Sequence, residues 1–377
     1  MPAVRRRVAI LGCTGSIGTQ ALDAIEQLNA DGGLDAHFDV VALVAGRNQK
    51  LLDEQAAKWK PKVAACAADD NSILAEVAAR DDVDIVVHAV VGAAGLAAAF
   101  AAAGAGKRLC LANKESLVVG GDLLLRTAEA GGALLLPIDS EHSAIFQAAA
   151  CGRREDVDRL VLTASGGPFR DATAWPADRL TAATIEQALA HPTWTMGGKI
   201  TVDSATLFNK GLELIEAVRL FGVPQDRVDV VVHPQSVVHS MVRFRDGSTL
   251  AQLSPPDMRM PIAYALTHPR RGASGASACD WSRPCRLDFE PPDTARFPSL
   301  ALAREAADRG GVVPAWLNAA NEVAVAAFLD GRLKFGDIAG VVASAVDAAP
   351  SHEPRDLDDL VESDAQARAF ALGRATS

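Results

Sequence analysis

The chain has 377 residues, enough for about two or three domains and a large buried core. Thirty-seven Lys and Arg against 47 Asp and Glu leave a net charge of −10, which argues against a nucleic-acid partner, because phosphate contacts need a basic face. Hydrophobic residues at 49% and charged residues at 22% describe a globular chain and exclude extensive disorder.

The cysteines Cys13, Cys66, Cys110, Cys151, Cys279 and Cys285 contain no C-x-x-C pair. They read as reduced thiols of a cytoplasmic protein, not as a disulfide framework. The most apolar stretch, 89–103, is too short and too rich in Ala and Gly to span a bilayer, so no membrane partner is expected. The three N-terminal arginines run straight into Val-Ala-Ile-Leu-Gly without a signal-peptide core, and read as a lead-in to a strand.

Along the first 140 or so residues, short apolar runs alternate with helical patterns. Strands are predicted at 8–12, 40–45, 63–66, 85–89, 108–112 and 134–137. Helices are predicted at 19–28, 51–59, 73–79 and 96–103. Such alternation implies an α/β fold with a Rossmann-type, doubly wound parallel sheet. From about 155 the pattern changes to strands at 159–164, 228–232, 240–244 and 249–253, the last two flanking a hairpin signal at Arg245-Asp-Gly-Ser. One long helix is predicted over 204–221, stopped by Gly222 and Pro224. This reads as an α+β central domain. Residues 268–298 are rich in Pro, Ser, Gly and Arg and read as a linker. Helices at 300–307, 314–329, 335–348 and 357–371 form a small helical C-terminal domain. The expected domains are therefore 1–139, 140–267 and 299–377, with 268–298 as the connection.

Gly12-Cys-Thr-Gly15-Ser-Ile-Gly18 follows the first strand and opens the first helix. Glycines there allow a tight turn and close approach to a pyrophosphate, which then sits on the helix N-terminus. The end of the second strand carries Ala45-Gly46-Arg47-Asn48 and no acidic residue for a ribose 2′-hydroxyl. An arginine there suits a 2′-phosphate and favours NADPH; the alternative is a solvated arginine in a turn.

Leu134-Leu-Leu-Pro-Ile-Asp139-Ser140-Glu141-His142 ends an apolar strand in two carboxylates. At i and i+2 on a strand they point to one side and suit one hard cation; equally, they suit the start of a helix at 143–150. The segment from His191 to Glu213 combines Pro, Trp194, Met196 and glycines, as in an apolar flap, with Ser204, Asn209, Lys210 and Glu213 on helical spacing. Those residues suit an anion and a third metal carboxylate, or else a solvated helix face with an internal Lys–Glu pair. Ser165-Gly-Gly-Pro-Phe and Asn113-Lys114-Glu115-Ser116 are strand-end turns, either plain or ligand-bearing. His142, His233 and His239 lack zinc-ligand spacing and read as satisfied polar residues. Trp316 reads as core.

Taken together, Thr14-Gly-Ser-Ile-Gly, Ala112-Asn-Lys-Glu-Ser, Pro137-Ile-Asp-Ser-Glu-His, Ser165-Gly-Gly-Pro-Phe, the His191–Glu213 block, His233-Pro-Gln-Ser-Val-Val-His-Ser-Met and Pro256-Asp-Met-Arg resemble the 1-deoxy-D-xylulose 5-phosphate reductoisomerase family, in the family's order and over about 8–348. The resemblance implies conversion of 1-deoxy-D-xylulose 5-phosphate to 2-C-methyl-D-erythritol 4-phosphate, a committed step of isoprenoid precursor synthesis. It implies NADPH and one divalent cation (Mg²⁺, Mn²⁺ or Co²⁺), a small phosphorylated sugar as substrate, and a homodimer. By resemblance, Asp139, Glu141 and Glu213 hold the metal. Ser165, Ser204, Asn209 and Lys210 hold the phosphate, while Ser140 and Lys114 meet the substrate's oxygens. His191, Trp194 and Met196 belong to a mobile flap. Lys114 and His191 count with the three acids as catalytic. Thr14, Gly15, Ser16, Ile17, Gly46, Arg47, Asn48, Asn113, Glu115 and Gly197 are the cofactor positions. Two departures stand out. Gly198 replaces a basic residue, for which Lys199 is expected to compensate. The stretch between Phe169 and His191 is slightly long and is expected to add only loop. A plain NADPH dehydrogenase and a cofactor-sensing module are the competing readings, and neither needs the three acids together.

Overall fold

The protein was analysed as a computed structural model, which describes residues 4–68, 70–194 and 196–375. In chain order, the first half runs β1 (Val4–Leu11), α1 (Ser16–Asp31), β2 (Ala36–Ala45), α2 (Gln49–Trp59), β3 (Val63–Cys66), α3 (Ser72–Ala79), β4 (Ile85–His88), α4 (Leu96–Gly104), β5 (Arg108–Leu111), α5 (Lys114–Gly131), β6 (Leu134–Pro137) and α6 (Ser140–Ala149). Then come β7 (Val157–Ala164), α7 (Ala177–Thr181), α8 (Ile185–Leu189), α9 (Gly198–Thr206), α10 (Phe208–Phe221), β8 (Val228–Val232), β9 (Val238–Phe244), β10 (Thr249–Leu253) and α11 (Arg259–Thr267). The helices α12 (Ser299–Arg309), α13 (Val313–Leu329), α14 (Ile338–Ala348) and α15 (Leu357–Ala375) complete the series. No helix of the described residues is long and apolar enough to cross a membrane.

The chain divides into two compact units. One comprises Met1–Ser116, Asp122–Phe146 and Asp257–Cys279; the other comprises Leu117–Gly121, Gln147–Pro256 and Asp280–Ser377. The first unit is built on a parallel sheet of order β3-β2-β1-β4-β5-β6, the doubly wound order of dinucleotide-binding folds. Its central strands are buried on both faces, which is why Val8–Leu11 and Ile85–Val87 read as unbroken apolar runs. One layer of the core comes from α1 through Ala21, Leu22, Ile25 and Leu28, joined by Ile262 and Leu266 of α11.

The stretch after α11 is part of this unit, although its composition suggested a linker from 268. The Arg108 guanidinium donates to the carbonyls of Leu266 (2.8 Å) and His268 (3.1 Å). Arg270 pairs with Asp35 at 3.0 Å. Gly272 lies so near Leu28 that a Cβ would stand 2.4 Å from its side chain. Hydrogen bonds and close approach hold this stretch, not a helical face, so it has no periodicity to read.

The glycine turn between β1 and α1 is fixed by backbone geometry. The Gly12 and Cys13 amides donate to the Val44 carbonyl at 2.8 and 3.0 Å. Gly12 has φ +84°, and a Cβ on it would stand 2.5 Å from the Ala89 carbonyl oxygen. A Cβ at Gly18 would stand 2.3 Å from the Gly12 oxygen, so the third glycine lets helix and strand approach.

The second unit carries a mixed sheet of order β10-β9-β7-β8, in which β7 and β8 are parallel and the other pairs antiparallel. In the helical region α13 is buried nearly end to end, Trp316 included, with Phe370 of α15 beside that ring. Two expectations fail here. The helix predicted over 204–221 is broken at Leu207, whose φ of +60° ends α9 and begins α10. The stretch between Phe169 and His191 is not only loop: it contains α7 and α8, and Trp175 packs edge-on against Phe169 while Arg179 lies over its ring.

Gly12→Ala is expected to destabilise the protein by about 2–4 kcal/mol, because it adds a left-handed side chain and a backbone clash together. Urea unfolding checks this, and a wild-type midpoint and slope would refute it.

Candidate active site

At the carboxyl ends of the first unit's strands, the Gly12–Gly18 turn delivers the first turn of α1. Gly15 and Ser16 are exposed there, and Thr14 and Ile17 half-buried. The Gly15 cap has no side chain, so nothing intrudes on the first amides of the helix. Gly46, Arg47 and Asn48 are exposed just beyond β2. Asn48 caps α2, its Oδ1 accepting from the Leu51 amide at 3.1 Å. Asn113 is buried, and both ends of its amide are engaged. Its Nδ2 donates to the carbonyls of Val90 (2.7 Å) and Gly92 (2.9 Å) and lies 3.2 Å from Glu115 Oε2. Its Oδ1 accepts from the Ser116 amide at 2.9 Å. Asn113 thus fixes the loop after β4 to the start of α5. Cys13, beside this turn, is fully buried, and burial pushes its thiol up to about 12.

A charged group follows at the ends of β5 and β6. Lys114 Nζ lies 2.8 Å from Asp139 Oδ2, with both side chains largely buried. The other oxygen, Asp139 Oδ1, faces His142 Nδ1 at 3.2 Å and accepts from the Glu141 amide at 3.2 Å. Burial alone would push the Asp139 carboxyl up, but the Lys114 ammonium and His142 hold it well below the usual carboxylate range. Ser140 donates to Glu141 Oε2 at 2.5 Å. The strand premise for these acids is wrong. Helix α6 begins at Ser140, so Asp139 precedes its first turn and Glu141 lies within it. The helix-start reading was the right local structure, and it leaves Asp139 an ionised oxygen donor.

In the second unit, two residues of the expected phosphate set, Ser165 and Ser204, converge on His191 of the expected flap. His191 Nδ1 accepts from the amides of Thr193 (3.1 Å) and Trp194 (2.9 Å), so this nitrogen carries no proton. The proton is then on Nε2, which stands 3.0 Å from Ser165 Oγ and 3.1 Å from Ser204 Oγ. Gly166 and Gly167 both have positive φ, and a Cβ on Gly167 would stand 2.7 Å from the Ser204 carbonyl oxygen. That close approach brings the Ser165 turn onto α9. Beyond the Leu207 break, the first turns of α10 carry Asn209, Lys210 and Glu213. Asn209 Nδ2 donates to Glu213 Oε1 at 2.6 Å, and Lys210 pairs with Glu213 Oε2. The internal Lys–Glu pair therefore exists, but it is buried, not solvated. Ser299 Oγ donates to the Thr206 carbonyl at 2.6 Å and helps hold the break. Trp194 and Met196 are half-buried and Gly197 caps α9; Thr195 lies outside the described residues.

Lys199, expected to compensate for Gly198, meets a buried acid. Its ammonium is 2.9 Å from Asp203 Oδ2, and Asp203 Oδ1 accepts from Asn321 Nδ2 at 2.7 Å. Sequence reasoning missed this group, because Asp203 and Asn321 lie 118 residues apart. The histidines stand as expected: His233 Nδ1 lies 2.8 Å from the Asp288 carbonyl and His239 Nε2 lies 3.0 Å from the Ser254 carbonyl.

Comparison with known proteins decides the family. The 1-deoxy-D-xylulose 5-phosphate reductoisomerase model matches residues 8–73 and 68–121. Its C-terminal domain model matches 135–221, and the DXP reductoisomerase C-terminal domain model matches 253–370. The chain belongs to the 1-deoxy-D-xylulose 5-phosphate reductoisomerase family. It is 50% identical to the reductoisomerase of Rhodospirillum centenum, covering 97% of this chain and 93% of that one. It is 52% identical to that of Nocardia farcinica, with the same coverage. Among solved structures, a DOX-P reductoisomerase in complex with NADPH, fosmidomycin and magnesium superposes with a TM-score of 0.90 at 40% identity, covering 98% of each chain. The Zymomonas mobilis reductoisomerase in complex with NADPH gives 0.89 at 42% identity, covering 99% of this chain and all of that one.

Two predictions follow from the charges. Lys114→Met strips the buried Asp139 carboxylate of its cation and is expected to cost about 3 kcal/mol, read by urea unfolding without added metal; an unchanged midpoint would show that the pair contributes nothing. Burial pushes the imidazoles of His88, His191, His239 and His268 down. Unfolded histidines take up protons near pH 6.5 while these stay neutral, so the unfolded state binds more protons and stability falls as pH drops below that value. Unfolding free energy at pH 5.5 is expected below that at pH 7.5, and a flat profile would contradict it.

Proposed function

We propose that the chain is an NADPH- and divalent-metal-dependent enzyme that converts 1-deoxy-D-xylulose 5-phosphate to 2-C-methyl-D-erythritol 4-phosphate. The observation that carries this reading is family membership over nearly the whole chain. The complex of a similar protein with NADPH, fosmidomycin and magnesium supports both cofactors.

The residues fit the groups they would hold. The three carboxylates Asp139, Glu141 and Glu213 are hard oxygen donors suited to Mg²⁺ or Mn²⁺. Asp139 is held ionised by its neighbours, and the Glu213 carboxylate has lone pairs beyond those that accept from Asn209 and Lys210. The glycine turn on α1 fits a pyrophosphate, and Arg47 fits a 2′-phosphate. Bound there, the cation would polarise the substrate's carbonyl and hydroxyl oxygens, and NADPH would supply the hydride. Lys114 neutralises charge developing on the substrate's oxygens. Ser165, Ser204, Asn209 and Lys210 bind the phosphate, with the Nε2–H of His191 oriented toward both serines. Trp194 and Met196 exclude water, and phosphate binding remote from the reacting carbons drives their closure.

We also assign the protein to the cytoplasm, a compartment in which its cysteines, all free in the described structure, stay reduced. We assign it as a homodimer. The edge strand β10 with its exposed Leu250 supports this, because an open edge invites pairing with a second copy.

Purified protein is expected to consume NADPH only when both 1-deoxy-D-xylulose 5-phosphate and Mg²⁺ or Mn²⁺ are present, and EDTA should abolish the loss. Asp139→Asn and Glu213→Gln should each lower metal-dependent turnover by about a hundredfold or more while leaving NADPH affinity intact. Substrate-dependent turnover insensitive to EDTA would indicate a plain dehydrogenase. NADPH binding without turnover would indicate a sensor.

A further inference from the structure

The segment that starts at His191 runs into α9 at Gly198, and its start meets the residue next to a buried ion pair within that helix. At its start, His191 Nε2 meets Ser204 Oγ at 3.1 Å. Within α9, Lys199 Nζ meets Asp203 Oδ2, one turn on, at 2.9 Å. Asp203 is 1% exposed and is in turn held by Asn321 of α13, itself fully buried, at 2.7 Å.

Burying a carboxylate is costly unless it is paired, and a packed apolar residue usually serves stability as well. What the buried ion adds is direction. The hydrogen bond from Asn321 of α13 fixes the rotation of α9 about its axis, and the ion pair with Lys199 one turn away holds the carboxylate where it can accept that bond. That rotation aims the neighbouring Ser204 hydroxyl at His191. Gly167 and Ser299 meet the same helix end at the backbone carbonyls of Ser204 and Thr206, and Asp203 adds the side-chain contact to α13.

We propose that Asp203 is a positioning residue for the substrate's phosphate: paired with Lys199 and held by Asn321, it fixes the rotation of α9 and so the aim of Ser204 at His191. The proposal rests on the function assigned above. Its effect belongs to substrate capture, not to the chemical step or to NADPH binding.

The test compares wild type with Asp203→Asn, which keeps the shape and removes the charge. With Mg²⁺ and NADPH, the KM for 1-deoxy-D-xylulose 5-phosphate is expected to rise about tenfold, with kcat within about threefold and NADPH affinity unchanged. Hydrogen exchange of the substrate-free protein should quicken across 191–199. Unchanged KM, or a kcat loss at unchanged KM, overturns the proposal. So does a lower melting temperature with unchanged KM and exchange, since that is a structural role alone. If wild type fails to turn over this substrate, the assigned function falls, and the exchange experiment alone then decides: quickened exchange upholds the tie and unchanged exchange removes it. Should Asp203→Asn fail to fold, Lys199→Gln breaks the same ion pair from its more exposed side and is read in the same way.

Discussion

An ionised carboxylate persists in a protein interior only when a fixed partner matches it, and each unit of this chain meets that condition with a lysine close by. Lys114 faces Asp139 in the first unit, and Lys210 faces Glu213 in the second. In both, the lysine stands in the first turn of its helix, where the preceding strand end or break sets its direction. The surrounding architecture serves these pairs. The parallel sheet brings the ends of β5 and β6 side by side, and the Leu207 break starts α10 at the position that buries Lys210.

The same condition explains why the candidate site is both prepared and expensive in stability. Left unmatched, the buried Asp139 carboxylate would be pushed toward its protonated form and lose its value as a ligand for a hard cation. Matched by Lys114 and His142, it stays charged, while the ammonium groups and nearby hydroxyls remain suited to substrate oxygens and phosphate. Asp203 with Lys199 repeats the device a third time, beside the site.

Much of this was legible in sequence wherever a local rule decides the local structure. The glycine turn, the buried strands and the C-terminal helices are set by spacing and apolar runs, and the ordered motifs identified the family. The failures share a cause. No glycine or proline marks Leu207, so 204–221 looks like one helix; the break is imposed by Gly167 and Ser299, far away in sequence. Asp139 and Glu141 could be read as strand neighbours or as a helix start, because an apolar strand runs straight into Asp-Ser-Glu with no glycine between them. The pairing of Lys199 with Asp203 left no trace in the spacing, because Asp203 is buried against Asn321, 118 residues away. The run after α11 looked like a linker because it is held by Arg108 and by contact with α1, neither of which leaves a periodic trace.

The depth of Cys13 bears on how the protein can be handled chemically. A thiol within the nucleotide turn invites covalent probes aimed at the cofactor site, yet an alkylating reagent needs an accessible thiolate, and this one is sealed in the core with its proton held firmly. The exposed thiols are Cys151 and Cys285, both in the other unit. Reagents will therefore meet Cys151 and Cys285 first, while the half-buried Cys66, whose Sγ donates to the Gly46 carbonyl at 2.8 Å, is the thiol to replace before the cofactor end is probed.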